Sequence, residues 1–401
     1  MSDQGIDTAG RSLAASYLEA GMPLGAHLDV TYRCDLACKH CYLDDRETWP
    51  ELTTLEWQDV LAQLAGAGVL DLTWSGGDVG MRSDFRELVA HAAELGFQQR
   101  IKTHGGWIDD QTARWLGQQN VHRVDISVYS LRDAVHDAFT QRPGSLQATL
   151  AAIHALRNAG LEVKISCSIQ PATICEVQEI VQTLQALGCK VSISTLMYRD
   201  HAGGNALDAF QLSPEQVLEV RRALRRVRPT GELSKPIASR PGSTPCGAGR
   251  TRIYVSPDGA VWPCVTWPME LGHLRQQRFA DIWAGSARRQ EILAWTNDDR
   301  TQCQSCAGSG ACFYCPGHAY KTTGDYRKAS PDFHAQTRVK LLVAQEFEEL
   351  VLTPEQWDSI PDTQAERPPV TDQPTKMYRP SRGKAVRVHQ LALGQAAVNR
   401  R

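Results

Sequence analysis

Three cysteines near the start of the chain are spaced for metal chemistry. Cys34, Cys38 and Cys41 follow the pattern C-x3-C-x2-C directly after an apolar run, so one short loop can direct three thiolates at a single point. A structural zinc site has four protein ligands, and this pattern supplies three. A [4Fe–4S] cube held by three cysteines instead leaves one iron open to a small molecule. The loop therefore predicts an iron–sulfur site with an open position, and the alternative is a zinc knuckle or three buried thiols.

A second cysteine-rich region follows much later. Cys246 and Cys264 flank two alternating apolar runs separated by Pro257-Asp258-Gly259, which predict a β-hairpin with its turn at Asp258-Gly259. A quartet at C-x2-C-x5-C-x2-C spacing in a Gly/Ser-rich loop follows: Cys303, Cys306, Cys312 and Cys315. On spacing alone this quartet fits a zinc ribbon as well as an iron–sulfur site. The isolated cysteines are interpreted as ordinary buried thiols: Cys167, Cys175 and Cys189.

Composition and charge exclude several classes of protein. The 401 residues carry a formal net charge of −2 without a basic run, which argues against nucleic acid as a partner. No stretch approaches the ~20 apolar residues of a membrane span, and the first ten residues lack the features of a signal peptide. In a reducing compartment, twelve cysteines are expected to bind metal rather than to form disulfides. We therefore expect a cytoplasmic metalloprotein that binds neither nucleic acid nor membrane.

The elements that would position these loops alternate from Ala26 onward. Short β-branched runs and helical patterns follow one another, which is typical of parallel βα units. With right-handed crossovers, six strands form a partial (β/α)6 TIM-like barrel whose active site lies at the carboxyl ends of the strands. The fold class is thus α/β, with the barrel followed by a cysteine-rich domain of one hairpin and loops. The predicted strands are Ala26–Tyr32, Val69–Trp74, Gln98–Thr103, Arg123–Tyr129, Leu161–Ile169 and Lys190–Leu196.

Capping signals and periodicity place the helices. Thr53-x-x-Glu56 is a capping box that opens a helix to about Ala65, and Ser83 can cap a helix to Leu95. Further helices are expected at about 11–20, 109–119, 145–158, 173–187, 213–227 and 334–352, with an extended linker over 353–382. We divide the chain into an N-terminal extension 1–25, a barrel 26–200, a helical connection 201–245, a cysteine-rich domain 246–335, and a C-terminal helix and flexible tail 336–401.

Glycine and polar residues follow the predicted strands, where ligand contacts are expected. Ser75-Gly76-Gly77-Asp78 ends the second strand, and its glycines allow the backbone to approach a ligand. Thr103-His104-Gly105-Gly106 ends the third strand, and Ser127 and Ser130 lie at the end of the fourth. Each of these three motifs is a weak signal alone, because a plain turn or a polar barrel lining also explains it. Since all three follow a predicted strand, their residues are candidates for ligand binding.

Together these motifs resemble those of the radical S-adenosylmethionine (SAM) enzymes. The agreement covers the cysteine spacing, its position after the first strand and the following Tyr42. The resemblance implies that Cys34, Cys38 and Cys41 hold a [4Fe–4S] cluster whose free iron chelates SAM. One electron then cleaves SAM to methionine and a 5′-deoxyadenosyl radical. The resemblance further implies SAM contacts from Gly76, Gly77 and Asp78 to the amino group, with Asp78 where the family has Glu, and from Ser127 and Ser130 to the ribose.

The later cysteines resemble the SPASM extension of these enzymes, which holds auxiliary iron–sulfur clusters. Cys246, Gly259 and Cys264 fit its C-x(9–15)-G-x4-C motif. The chain departs from the family pattern in two ways: two residues rather than three separate Cys312 from Cys315, and the family's final cysteine is missing. The resemblance implies one or two auxiliary clusters: an inner one on Cys246, Cys264 and Cys315, and an outer one on Cys303, Cys306 and Cys312. The candidates for the missing ligand are Asp332, His334, His318, water and substrate, and the absence of one cluster is the other alternative.

The resemblance also directs the expected function. Most SPASM enzymes that resemble this chain modify ribosomally made peptides, so we expect a radical SAM oxidoreductase that cross-links, oxidises or epimerises a precursor peptide. Its partners would be that peptide, an electron donor such as flavodoxin or ferredoxin, and a separate leader-binding protein. The alternatives are modification of a small molecule or tetrapyrrole, and a metal-binding scaffold without catalysis. Sulfatase maturation is disfavoured, because Val265 stands where that subgroup has an Asp base.

Overall fold

Six parallel strands form the barrel. The computed structural model describes residues 13–43, 50–198, 207–228, 242–347 and 350–361. The strands are β1 Gly25–Thr31, β2 Asp71–Gly76, β3 Gln98–Thr103, β4 Val121–Ser127, β5 Glu162–Ser168 and β6 Lys190–Ser194. They hydrogen-bond in chain order as parallel neighbours, so the predicted α/β partial barrel is confirmed.

Three further strands extend this sheet from β1. β7 Arg252–Val255 runs parallel to β1, and β8 Ala260–Trp262 and β9 Gly272–His273 follow as antiparallel neighbours. The predicted hairpin is therefore present, with Gly259 at φ +98° in its turn. Within the described residues the sheet has nine strands in the order β6-β5-β4-β3-β2-β1-β7-β8-β9. The cysteine-rich region thus shares one sheet with the barrel.

Helices alternate with the strands of the barrel and continue through the cysteine-rich region. The barrel part contains α1 (residues 13–19), α2 Thr54–Gly66, α3 Phe85–Glu94, α4 Asp110–Gly117, α5 Asp133–Thr140, α6 Ser145–Asn158, α7 Val177–Ala186 and α8 Pro214–Val227. The later part contains α9 Phe279–Gly285, α10 Ala287–Ala294, α11 Thr301–Gln304, α12 Pro316–Thr323, α13 Pro331–Glu346 and α14 Pro354–Asp358. Among the described residues, none of these helices is both long enough and apolar enough to cross a membrane.

Several local predictions need correction. The Thr53 capping box is present, but Ser83 does not cap α3, which follows Asp84. The Asp84 carboxylate instead accepts hydrogen bonds from Thr54 and Arg82. Two other corrections concern later segments: Cys175 is exposed rather than buried, and a capping box at Thr353 starts α14 within the predicted linker. The rest of that linker and the tail lie outside the described residues.

The two faces of the barrel strands differ in polarity. Side chains that point outward pack under the helices and are fully buried, such as Leu28, Ile101, Val124 and Ile165. The alternate positions point into the barrel and are charged or polar: His27, Asp29, Arg100, Lys102, Arg123, Asp125, Lys164 and Ser166. A closed TIM barrel fills its interior with branched apolar side chains. Here Lys102 and Ser166 are exposed, so the interior is a polar lumen.

Candidate metal centres

The first cysteine loop is fixed to the last turn of α5. The Ala37 backbone N–H donates to the Thr140 carbonyl at 3.0 Å, and the Lys39 N–H donates to the Phe139 carbonyl at 3.0 Å. Cys34, Cys38 and Cys41 are all half-buried at the carboxyl end of β1. Three thiols on one anchored loop, open to a ligand on one side, are a donor set that fits a cluster with one free iron.

The glycine turn after β2 packs directly on this loop. The Gly77 N–H donates to the Thr31 carbonyl at 2.8 Å, and the Asp78 N–H donates to the Arg33 carbonyl at 2.9 Å. A Cβ on Gly77 would lie 2.3 Å from the Arg33 oxygen, and one on Gly76, at φ +141°, would lie 2.0 Å from the Thr31 oxygen. Glycine is therefore required at both positions by backbone packing, independently of any ligand.

The Asp78 side chain joins the ends of β2 and β3. Its carboxylate accepts hydrogen bonds from the Gly80 N–H at 2.9 Å, the Thr103 hydroxyl at 2.6 Å and the His104 N–H at 2.9 Å. It is 1% exposed. Because three protein donors already bind the Asp78 carboxylate, the amino group of SAM would also need backbone carbonyls of this turn as acceptors. The contacts of Gly76, Gly77 and Asp78 with SAM stay a prediction.

His104 lies between the glycine turn and the cysteine loop. Its Nε2 atom is 2.7 Å from Asp35 Oδ1 and 3.2 Å from Asp78 Oδ2. Among the described residues, Cys34, Asp35 and His104 form the one group of three possible ligands whose donor atoms all lie within 4.8 Å of one another. Sulfurs around a single zinc ion lie about 3.8 Å apart, given Zn–S bonds of about 2.3 Å. Among the described cysteines, no three have their sulfurs within 4.8 Å of one another.

The two predicted ribose-binding serines occupy different environments. Ser127 is half-buried at the carboxyl end of β4, beside Ser166 of β5. Ser130 is fully buried, and its hydroxyl donates to Glu176 at 2.6 Å and accepts from the Arg132 N–H at 3.0 Å. Ser130 thus holds the turn after β4, while Ser127 remains accessible. The contacts of both serines with SAM stay predictions.

The six later cysteines separate into two groups. In the inner group, the Thr266 hydroxyl lies 3.5 Å from Cys264 Sγ and 3.8 Å from Cys315 Sγ. Burial raises the pKa of Cys246 to about 11, and the neighbouring Cys315 and Cys264 add to this effect. These three residues, which lie after β8, directly before α12 and before β7, are therefore close together. Deprotonating such thiols requires a compensating cation, which bound iron would supply.

The outer group lines one cavity of about 370 Å³ that is partly open to solvent. Cys303, Cys306 and Cys312 all contribute to its wall, together with Arg300. Burial raises the pKa of the Cys306 and Cys312 thiols, and the Arg300 charge opposes this rise. The grouping matches the inner and outer sets expected from the SPASM pattern. The individual ligand roles stay predictions.

Sequence reasoning missed a buried polar network on β1 and β7. Asp29 is fully buried, accepts a hydrogen bond from the Tyr254 hydroxyl at 2.9 Å and lies 3.1 Å from His27 Nε2. The Tyr254 and Tyr32 hydroxyls are 2.7 Å apart. Burial and the Asp29 charge raise the pKa of Tyr254 well above its usual range, so this tyrosine stays protonated and donates. His27 and Asp29 at alternate positions of an otherwise apolar strand were the available signal.

Two lysines in the lumen were also missed. Lys102 and Lys164 flank Asp125 in register on β3 and β5, but the Asp125 carboxylate is bound by Arg123 at 2.6 and 3.3 Å. Neither lysine has a hydrogen bond or an ion pair with another described residue. Burial lowers the pKa of Lys102, although Asp125 and Asp29 oppose this effect. The lumen therefore contains cationic groups without a bound counter-charge.

Comparison with known families identifies two domains in the chain. The radical SAM superfamily model matches residues 28–200, and the SPASM iron-sulfur cluster-binding domain model matches residues 246–308. An AdoMet-dependent heme synthase from Nitratidesulfovibrio vulgaris is 26% identical over 333 residues, which cover 76% of this chain and 90% of that protein. A PqqA peptide cyclase from Granulibacter bethesdensis is 26% identical over 325 residues, which cover 77% and 86%. The sporulation killing factor maturation protein SkfB from Bacillus subtilis is 27% identical over 271 residues, 66% of each chain.

Solved structures agree on the fold. Streptococcus suis SuiB bound to its precursor peptide SuiA has a TM-score of 0.58 at 16% identity, covering 79% of this chain and 77% of SuiB. The enzyme anSMEcpe with bound AdoMet and the Kp18Cys peptide has a TM-score of 0.57 at 14% identity, covering 81% and 99%. With the family matches, the anchored cysteine loop and the two later cysteine groups, these findings show that the chain belongs to the radical SAM enzymes with a SPASM domain, whose cofactors are SAM and [4Fe–4S] clusters.

Proposed function

We propose that this radical SAM enzyme abstracts hydrogen from a carboxylate-bearing residue or its neighbour in a ribosomally made precursor peptide. The observation that carries the proposal is the pair of lumen cations, Lys102 and Lys164, without a counter-charge among the described residues. An ammonium group that faces the lumen without a bound partner can form a charge-assisted hydrogen bond with an acidic group of the substrate. Lys102 lies one residue before the carboxyl end of β3, and His104, which follows that end, contacts Asp35 of the first cysteine loop.

The residues of this chain hold the reactants in place. The first cysteine loop would hold the cluster to which SAM binds. One electron from a flavodoxin- or ferredoxin-type donor would then allow SAM to supply a radical that removes a hydrogen atom from the substrate, with methionine and 5′-deoxyadenosine as products. The Gly76-Gly77 turn fixes the loop, while Lys102 and Lys164 orient the substrate carboxylate. Holding the reacting carbon close to the radical source is where protein residues accelerate such a step.

The open side of the partial barrel supports a peptide substrate. β6 is an edge strand of the described sheet, so the partial barrel is open at its side, which suits a segment of a longer chain. The PqqA peptide cyclase is named for action on a peptide and SkfB for maturation of a sporulation killing factor, and both align with about two thirds or more of this chain. A separate leader-binding protein would assist recognition.

One observation favours a second candidate, a propionate-bearing tetrapyrrole. The heme synthase from Nitratidesulfovibrio vulgaris aligns over 90% of its length, and lumen lysines would pair with propionates as well as with acidic side chains. Both candidates share the carboxylate chemistry. They differ in size and flexibility, and the two are separated by experiment.

The test is an anaerobic incubation of reconstituted enzyme with SAM and reductant, read by mass spectrometry. One arm contains peptides encoded by small open reading frames beside the gene, and the other contains an iron tetrapyrrole with propionate groups. We expect a mass change in a peptide together with 5′-deoxyadenosine, and loss of that change when the reacting Glu or Asp of the peptide becomes Gln or Asn. Conversion of the tetrapyrrole alone would transfer the function to the second candidate.

Substitution of the lysines tests the carboxylate contact. We expect Lys102→Met and Lys164→Met each to lower kcat/KM for the acidic substrate by about 10- to 100-fold, the equivalent of one lost charge-assisted hydrogen bond. The loss should be much smaller for the carboxamide form of the same substrate. Lys328→Met removes an exposed lysine far along the chain and should leave kcat/KM unchanged. Equal losses for both forms of the substrate would contradict the proposed contact.

A further inference from the structure

The outer cysteine group has a histidine in the wall of its cavity. Cys303, Cys306, Cys312 and His334 all line the same space of about 370 Å³. The other residues of this wall carry no cysteine, imidazole or carboxylate group: Arg300, Gly308, Ser309, Ala329, Thr337, Ile360 and Pro361. Three thiols and one imidazole thus face one cavity.

Helix α13 presents His334 toward the cysteines. Thr337 lies one turn after His334, and residues three apart share one face of a helix. The Thr337 hydroxyl donates to the Phe333 carbonyl at 2.7 Å, and Thr337, which is 4% exposed, lines the cavity together with Cys312. The face of α13 that carries His334 is therefore turned toward the outer cysteine group. Within the part of the chain that the structure describes, the His334 imidazole makes no hydrogen bond.

The other ligand candidates in this segment are engaged elsewhere. His318 Nε2 lies 2.9 Å from Asp332 Oδ2, and neither side chain lines the outer cavity. His318 is fully buried beside Tyr198 and Phe333, with ring centroids 5.4 and 5.0 Å away. The position of His334 distinguishes it from both residues.

We propose that His334 is the fourth protein ligand of the iron–sulfur cluster held by Cys303, Cys306 and Cys312. The inference concerns the auxiliary cluster and does not depend on the identity of the substrate. A neutral imidazole in place of a thiolate makes the site less negative by one charge. In Rieske centres, where histidines replace cysteines on one iron, the reduction potential is raised in this way. The outer cluster is accordingly expected to accept an electron more readily than a cluster with four cysteines.

The test is nitrogen hyperfine spectroscopy on the full-length, reconstituted and reduced protein labelled with 15N-histidine. The background variant Cys34→Ala/Cys38→Ala/Cys41→Ala removes the signal of the first cluster. In this background we expect a directly bound 15N coupling that His334→Cys removes and that His318→Ala retains. Iron per chain should stay the same in His334→Cys, because a thiolate replaces the imidazole, and the midpoint potential of the outer cluster should fall.

His334→Ala provides the complementary measurement. We expect it to lose the same coupling and to hold less iron per chain than His334→Cys. If His334→Ala does not fold, His334→Cys alone still decides the question. A nitrogen spectrum of His334→Cys identical to that of the background variant, or a background spectrum without an imidazole coupling, would overturn the assignment.

Discussion

At the scale of single residues, the space around two glycines determines how closely the glycine turn after β2 packs on the first cysteine loop. Gly76 and Gly77 each place a backbone carbonyl oxygen of the β1 end where a side chain would begin. These contacts involve main-chain atoms, which cannot rotate away as a flexible side chain can. The family motif is thus explained here by packing between two loops as well as by ligand approach.

Gly77→Ala should separate the turn from the loop. The new Cβ would lie 2.3 Å from the Arg33 oxygen, so the backbone must move, at a cost of about 1–3 kcal/mol of folding free energy. We expect a lower thermal midpoint and a loss of SAM binding in equilibrium dialysis of the reconstituted protein. The matched control is Gly66→Ala at the end of α2, where no atom lies within 4 Å and alanine favours the helix. Equal SAM affinity in both variants would contradict the packing argument.

At the scale of elements, α5 positions the first metal centre. Its Phe139 and Thr140 carbonyls accept the hydrogen bonds that fix the cysteine loop. Asp137 of the same helix accepts hydrogen bonds from the Gly144 and Leu146 N–H groups, and so holds the start of α6. The position of the cysteines therefore depends on the stability of this helix pair.

Acidification should weaken this helix pair through His136. The imidazole is 1% exposed, and burial lowers its pKa below 6.5, against the raising effect of Asp137. As the pH falls below about 6.5, the unfolded chain binds a proton at His136 before the folded protein does, so stability falls with the pH. Comparing thermal midpoints at about pH 7.5 and pH 5.5, we expect a smaller difference in His136→Asn than in the wild type.

His154 provides the control for this pH experiment. It is exposed on the neighbouring helix α6, so His154→Asn should keep the pH dependence of the wild type. If His136→Asn and the wild type lost the same number of degrees on acidification, His136 would not be the group responsible.

The elements also show what could be predicted from sequence. All six barrel strands were predicted, because β-branched runs alternate clearly with helical segments. Helix α5 was missed, since its eight residues include Asp133, His136 and Asp137 and are too few to show a long apolar stripe. The cysteine groups were predicted from spacing. The lumen positions of Lys102, Lys164 and Asp29 were not predicted. A charged residue that faces the inside of a barrel alternates with apolar residues just as one that faces solvent does, and only the curvature of the barrel distinguishes the two cases.

At the scale of the whole molecule, one sheet unites the barrel and the cysteine-rich region. β7 pairs in parallel with β1, so that Tyr254 lies beside His27 and reaches Asp29 across the strands. The Asp29 carboxylate is fully buried and is held by His27 and Tyr254. This network links the two regions across the β1–β7 junction. Loss of one of its members should therefore affect the unfolding of both regions together.

Tyr254→Phe tests this link with the removal of one oxygen atom. The change removes one of the two partners of the buried Asp29 carboxylate and the hydroxyl contact between Tyr254 and Tyr32, which should cost about 1.5–3 kcal/mol of unfolding free energy. We expect anaerobic thermal unfolding, followed both by circular dichroism and by the visible absorbance of the clusters, to shift to a lower temperature by the same amount in both signals. Tyr320→Phe makes the same chemical change at a half-buried hydroxyl without a hydrogen bond to the described residues, and should shift neither signal. A shift confined to circular dichroism would mean that the network stabilises the barrel alone, because the later cysteines would then keep their iron independently of the β1–β7 junction.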